Sequence, residues 1–161
     1  MTEKEFNQCV NLHADNVYRF ILKNIRNEED AKDIVQSAFE KLWMKHSTVE
    51  NATSKSYLFT VAFHKMIDYI RKTKRIILKE NFNENSGGIS TQQISTSRIL
   101  EESLNRLTKV QKSLIMLKDY EGYSYAEIEK ITGLNEGQVK INLHRARLQL
   151  REYIGKPENV I

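Results

Sequence analysis

Ser124-Tyr-Ala-Glu-Ile-Glu-Lys-Ile-Thr-Gly-Leu-Asn-Glu-Gly-Gln-Val-Lys-Ile-Asn-Leu-His-Arg-Ala-Arg147 is the stretch that decides the fold. It reads as two short helices around a tight turn. Ser124 followed three residues later by Glu127 is a capping box, each side chain satisfying an orphan backbone donor of the first turn. Ala126, Ile128 and Ile131 give the short helix its apolar side. Gly133 stops it, since a residue without Cβ enters the left-handed conformation at little cost. Leu134 fills the turn, and Asn135 caps the next helix with Gln138 in the reciprocal position. In that helix Val139, Leu143, Ala146 and Leu150 recur on one face. Its outward side carries Gln138, Lys140, Asn142, His144, Arg145, Arg147 and Arg151. From Gln138 to Arg151 there are four cations and no acid. Amide and guanidinium groups aimed outward suit the major groove of DNA, where they pair bidentately with adenine and guanine edges. A helical hairpin with a solvated basic face is the plainer alternative. Two caps, a glycine turn and the acid-free face together favour DNA.

Upstream of the hairpin, Leu100, Leu104 and Leu107 share a helical face. Thr108 and Gln111 make another capping box, opening a helix that carries Leu114, Ile115 and Leu117 and ends around Gly122. The hairpin completes a four-helix module over 97–161. Residues 81–96 are poor in apolar side chains and rich in Asn, Ser and Gly, which makes them the linker candidate, with an ordered surface loop as the alternative that two isoleucines leave open. As a flexible coil it would span about 20–24 Å.

The first 80 residues read as three helices, enough to close a small bundle. Phe6, Val10, Val17, Phe20, Ile21 and Ile25 outline the first. Asn27 caps the second, with Glu28, Glu29 and Asp30 at its positive end. Within it Ala31, Ile34, Val35, Ala38, Phe39, Leu42 and Trp43 form one apolar stripe, expected in the core. A polar loop, 46–56, leads to a third helix from Tyr57 to about residue 75, with Leu58, Val61, Ala62, Met66, Tyr69 and Ile70 inward. The expected fold is all-α: two small helical domains, 1–80 and 97–161, on either side of the linker.

Composition narrows the function. The single cysteine, Cys9, excludes a disulfide framework and a thiolate zinc site. No apolar run approaches the roughly 20 residues that cross a bilayer, and the first residues do not resemble a signal peptide, so a cytoplasmic protein without membrane insertion is expected. The net charge of +4 is unevenly spread: residues 1–50 hold seven bases and nine acids, residues 55–80 seven bases and two acids. An acidic first segment and a basic one after it imply two surfaces with different partners, one of them a polyanion.

In order and spacing, three stretches resemble the bacterial RNA polymerase sigma factors, in particular the small extracytoplasmic-function group of the sigma-70 family. Asp30-Ala-Lys-Asp-Ile-Val-Gln-Ser-Ala-Phe-Glu-Lys-Leu-Trp43 is similar to the signature that docks on the polymerase clamp. Tyr57-Leu-Phe-Thr-Val-Ala-Phe-His-Lys-Met-Ile-Asp-Tyr-Ile-Arg71 is similar to the helix that melts and reads the promoter element nearest the start site. Leu107 through Leu150 is similar to the module reading the distant element. The chain departs from the common pattern at Tyr57, Phe63, His64, Thr108, Ile141 and Asn142. The resemblance implies binding to core RNA polymerase at the clamp region of its β′ subunit, and to promoter DNA both as duplex and as melted strand. It also leaves room for an inhibitory anti-sigma partner.

Site residues follow from the faces. Asp33, Gln36 and Glu40, at steps of three and four on the outer side of their helix, are expected to dock on polymerase. Thr60, His64, Lys65, Asp68, Arg71 and Lys72 are expected at the near-start element and its melting. Gln138, Lys140, Ile141, Asn142 and Arg145 are expected to read the distant element, with Arg147 on phosphates. The rival reading is a helix-turn-helix regulator that binds duplex DNA without polymerase, its first three helices a plain dimerisation bundle. An enzyme is the third class. His64 and Asp68 stand at i, i+4 but lack a third ligand, and there is no phosphate loop or nucleophile elbow. No catalytic residue, metal or cofactor is expected.

Overall fold

The computed structural model describes residues 1–80 and 96–155. Most of the expected linker, 81–95, and the last residues, 156–161, lie outside the described residues. Seven α-helices account for nearly all of the rest: α1 (Glu3–Ile25), α2 (Glu28–Met44), α3 (Ser54–Glu80), α4 (Thr96–Asn105), α5 (Lys109–Ile115), α6 (Tyr125–Thr132) and α7 (Glu136–Ile154). A single 3₁₀ turn, Asn51–Thr53, precedes α3, and α5 widens into a π-helical turn over Met116–Tyr120. The fold is all-α, as expected.

Local chemistry explains each boundary. Thr2 caps α1 in a box with Glu5 that the sequence reading had not singled out. Arg26 ends α1 in the left-handed region at φ 58°, and Asn27 at once caps α2 by accepting from the Asp30 amide. A two-residue link therefore turns the chain back on itself. α3 begins three residues before the expected Tyr57 and runs past 75. The Ser54 hydroxyl donates to Asn51 O at 2.8 Å, so the 3₁₀ turn feeds directly into the helix, and no Gly or Pro interrupts residues 54–80.

α1, α2 and α3 pack pairwise as a bundle. Its core holds Val17, Phe20, Ile21, Ala31, Ile34, Ala38, Leu42, Leu58, Ala62 and Met66, all buried. In the second half α4, α5 and α6 pack on α7 around Leu104, Leu114, Leu117, Ile128, Ile131, Val139 and Leu143. Burying a side chain of this size is worth about 1.5–3 kcal/mol. Ala126, expected on the apolar side of α6, is exposed. It stands two positions before Ile128, about 200° round the helix.

The halves touch each other. α6 packs along α3, and α5 meets the end of α1. Phe59 is the hinge of the first contact: its ring lies 5.4 Å from Phe20 inside the bundle and 5.5 Å from Tyr123 of the second half. Lys55 pairs with Glu121 at 3.5 Å and lies over the Tyr123 ring. This second flank explains why Phe59 is buried although the three-helix pattern left it out of the core; Phe63, likewise outside that pattern, is buried as well.

Candidate nucleic-acid interface and docking face

The α6–turn–α7 unit is built by reciprocal caps. The Glu127 amide donates to Ser124 Oγ at 3.2 Å and the Ser124 amide to Glu127 Oε1 at 3.1 Å. Gly133, at φ 78°, closes α6 in the left-handed conformation its sequence position demanded. Asn135 and Gln138 exchange the same pair of bonds at 2.8 and 3.0 Å. Val139, Leu143 and Ala146 anchor α7 inward. Its outer face is thereby held in fixed orientation.

On that face the six expected residues divide by what occupies them. The Gln138 side-chain oxygen already accepts from the Asn135 backbone amide. Asn142 donates from Nδ2 to Gln138 O at 2.8 Å, one turn back. Lys140 pairs with Glu136 at 2.7 Å and lies 5.4 Å from the Tyr125 ring centre; the contact lowers the Glu136 pKa and raises that of Lys140. Arg147 is tied to Asp119 at 2.9 Å, which holds its guanidinium pKa up. Ile141 is 46% exposed, and Arg145 has no hydrogen-bond or ion-pair partner among the described residues. Arg145 and Ile141, one turn apart, are therefore the groups already free to meet a base edge.

Beside this face lies a groove of about 430 Å³ lined by Tyr125, Lys140, His144, Arg147, Leu148 and Arg151. Lys118, from the π turn, reaches over Tyr125 at 4.6 Å. Lys118, Tyr125 and His144 were not among the expected site residues. Two of them come from outside α7, where its periodicity carries no signal.

The expected near-start stripe runs along α3. His64, Asp68, Arg71 and Lys72 are exposed, and Thr60 and Lys65 are half-buried. Thr60 spends its hydroxyl proton on Ser56 O at 2.7 Å. His64 stands edge-on to Phe63. No group of three or more His, Cys, Asp or Glu side chains that could hold a metal ion occurs among the described residues.

Asp33, Gln36 and Glu40 are all exposed on α2. Gln36 Nε2 donates to Glu40 Oε1 at 3.2 Å, so the two already share one patch. Trp43 does not join the core as expected: it is 41% exposed, and Phe39 is half-buried. The last turn of α2 faces the start of α1 instead, where Trp43 meets Phe6 at 5.0 Å and stacks on His46 at 4.4 Å. The result is an open groove of about 790 Å³ with Phe6, Val10, Phe39, Trp43 and Met44 in it and Glu3, Gln36 and Glu40 at its lips.

Two family descriptions match the chain: Sigma-70 region 2 over residues 9–76 and Sigma-70 region 4 over residues 97–150. RNA polymerase sigma factor SigV of Bacillus subtilis is 32% identical over 93% of this chain and 91% of its own length. ECF RNA polymerase sigma factor SigE of Mycolicibacterium smegmatis is 28% identical over 94% of this chain and 62% of its own length. Among solved structures, the sigma factor RpoE in complex with the anti-sigma factor NepR from Bartonella quintana superposes with a TM-score of 0.78 at 25% identity, covering 96% of this chain and 99% of that one. No helix among the described residues is long and apolar enough to cross a membrane.

Proposed function

The chain belongs to the extracytoplasmic-function group of the sigma-70 family, and from that premise we propose how its three faces divide the work of starting transcription. As a sigma factor it binds core RNA polymerase and recognises promoter DNA. Residues 1–80 form the polymerase-binding and melting unit and 97–161 the duplex-reading unit. α2 docks through Asp33, Gln36 and Glu40 on cations of the β′ clamp, with the neighbouring apolar groove as a second element of contact. Charged hydrogen bonds of this kind are worth about 1.5–3 kcal/mol each against water. α3 tracks the separating strand with Lys65, Arg71 and Lys72, while Thr60, His64 and Asp68 line the same side. α7 reads the distant element with Gln138, Lys140, Ile141, Asn142 and Arg145, and Arg147 holds a phosphate. Catalysis stays with the polymerase, and the site of action is the cytoplasm.

One observation carries this reading beyond a duplex-binding regulator: an exposed acceptor stripe beside an open apolar groove, on a helix remote from the helix-turn-helix, in a segment matching region 2. A plain dimerisation bundle gives no reason for an exposed acceptor stripe at the edge of such a groove. The test is association of the full chain with core polymerase after Asp33→Ala with Gln36→Ala. Both side chains are exposed, so helicity and thermal stability should hold while affinity falls at least about tenfold, roughly 1.4 kcal/mol. Undiminished binding would move the docking site elsewhere.

A further inference from the structure

At the joint where the end of α1 meets α4 and α5, the chain leaves a cavity of about 540 Å³. Its lining is of two kinds. Leu22 of α1, Leu100 and Leu104 of α4 and Tyr120 of the π turn give it apolar surface. Leu100 and Tyr120 remain 39% and 49% exposed, so that surface is not spent on the core. Lys23, Arg26 and Lys112 give it three cations, against the carboxylates of Glu28 and Glu101. An apolar recess with a few polar groups that fix orientation is the usual build of a small-molecule site.

The cations lack counter-ions. None of the three makes an ion pair among the described residues. Lys112 is the sharpest case, being 3% exposed. An ammonium has three protons to donate. Two of them go to neutral oxygens, Lys23 O and Asn105 Oδ1, and the third has no acceptor among the described residues. A charge taken out of water is costly unless paired. Burial, then the nearby Lys109 and Arg26, accordingly push the Lys112 pKa down to about 8. Lys23 is exposed and lies 5.1 Å from the centre of the Tyr120 ring. Arg26 is exposed too and stands at φ 58°, the one non-glycine in the left-handed region among the described residues. Glycine takes such a helix-ending position most cheaply. The arginine keeps a guanidinium at the cavity instead. The negative end of the α1 dipole does not cancel these charges, because its Lys23 and Asn24 carbonyls are already met by Lys112 and Lys109.

We propose that this cavity binds a small organic anion, its carboxylate head between Lys112 and Arg26 and its apolar body on Leu22, Leu100, Leu104 and Tyr120. Three lining cations less two carboxylates leave one positive charge, which a singly charged head neutralises. The head takes the spare Lys112 proton, and the guanidinium fork of Arg26 matches its two oxygens. An aliphatic chain and an aromatic ring both suit such walls, so head and body together define the class. The site rests on α1, α4, α5 and the π turn alone and stands apart from the functional reading above.

The test is calorimetric titration of the full chain with octanoate, 2-naphthoate, 1-octanol and inorganic phosphate. At least one carboxylate should bind with a dissociation constant of about 1 mM or tighter, and the tighter of the two tells chain from ring. 1-Octanol, a body without charge, and phosphate, a charge without a body, should each bind at least about tenfold more weakly. Lys112→Met and Arg26→Gly should each weaken carboxylate binding at least about fivefold. Glycine fits the left-handed backbone at 26, so the thermal midpoint of Arg26→Gly should equal or exceed the parent's while its binding falls. That variant decides the matter should Lys112→Met fail to fold. The site is overturned if neither carboxylate binds at about 10 mM, if 1-octanol or phosphate binds as tightly as the carboxylates, or if Arg26→Gly binds them undiminished.

Discussion

Raising the pH from 7 to 9 should close the chain further, and Lys112 sets the size of the effect. Burial first, then Lys109 on its own helix and Arg26 and Lys23 at the end of α1, push its pKa down from 10.5 to about 8; Glu101 on α4 opposes them. Asn105, also on α4, accepts a hydrogen bond from Lys112 Nζ and brings no charge of its own. Opened, Lys112 is an ordinary lysine. The closed form therefore binds fewer protons between the two values, so closure strengthens as pH rises through about 8 toward 10.5 and levels off below 8. Taken at full strength, those values raise the closing constant about tenfold between pH 7 and 9; solvent around the exposed Lys23, Arg26 and Lys109 screens part of this, leaving about threefold as the floor. Lys109, lowered by burial and by Arg26, acts in the same direction. Tyr123, raised by burial, stays protonated throughout. The assay is single-molecule energy transfer between dyes on cysteines placed at Leu12, which is 69% exposed on α1, and at the exposed Gln149 of α7; Cys9 is buried and stays unlabelled. The open fraction should fall with pH, and Lys112→Met should flatten the dependence. An open fraction that grows with pH, or the same slope in Lys112→Met, would refute the reasoning.

Two further outcomes follow from single side chains. Tyr123→Phe removes a buried hydroxyl that has no partner among the described residues while keeping the ring against Phe59 at 5.5 Å; urea unfolding should show a gain of about 1–2 kcal/mol, and a loss of stability would mean the hydroxyl is satisfied by a buried water. On α7, Arg145→Ala should lower discrimination at one base pair of the distant element by about 1–3 kcal/mol, whereas Arg147→Ala should weaken binding evenly and reduce the salt slope by about one; a uniform loss in both, read from binding to a library of promoter duplexes, would make Arg145 a phosphate contact as well.

The α6–α7 unit was legible because its signals are local. Ser124, Gly133 and Asn135 each act on backbone groups within four residues, and those bonds form whatever packs nearby. The bundle stripes were legible for a similar reason, since Ile34, Ala38 and Leu42 face inward on periodicity alone. Periodicity failed where a helix outruns its partner or gains a second one. Trp43 continues the α2 stripe, but the partner at its level is the start of α1, which leaves it at the mouth of a groove instead of in the core. Phe59 breaks the α3 stripe as drawn for three helices, yet Tyr123 of the second half supplies a further wall and it is fully buried.

The joint was the least legible part. Lys109 and Lys112 stand on a short helix between a cap and an apolar run, where a lysine is ordinarily a solvated side chain. Nothing within four residues of either names Asn24 or Lys23, about 85 positions away, as its partner. Only the packed chain brings them together, and it does so by spending hydrogen bonds on carbonyls that any helix end offers. Such acceptors are generic, and so is the ammonium that meets them. What makes the contact specific is Asn24, whose side chain bonds back to Phe20 O and forward to Ser113, fully buried at the meeting of α1 and α5. An apolar residue there would serve a standing interface equally well. An asparagine keeps its bond to Phe20 O within α1 in any case, so only the bond it accepts from Ser113 has to be exchanged with water when the halves part.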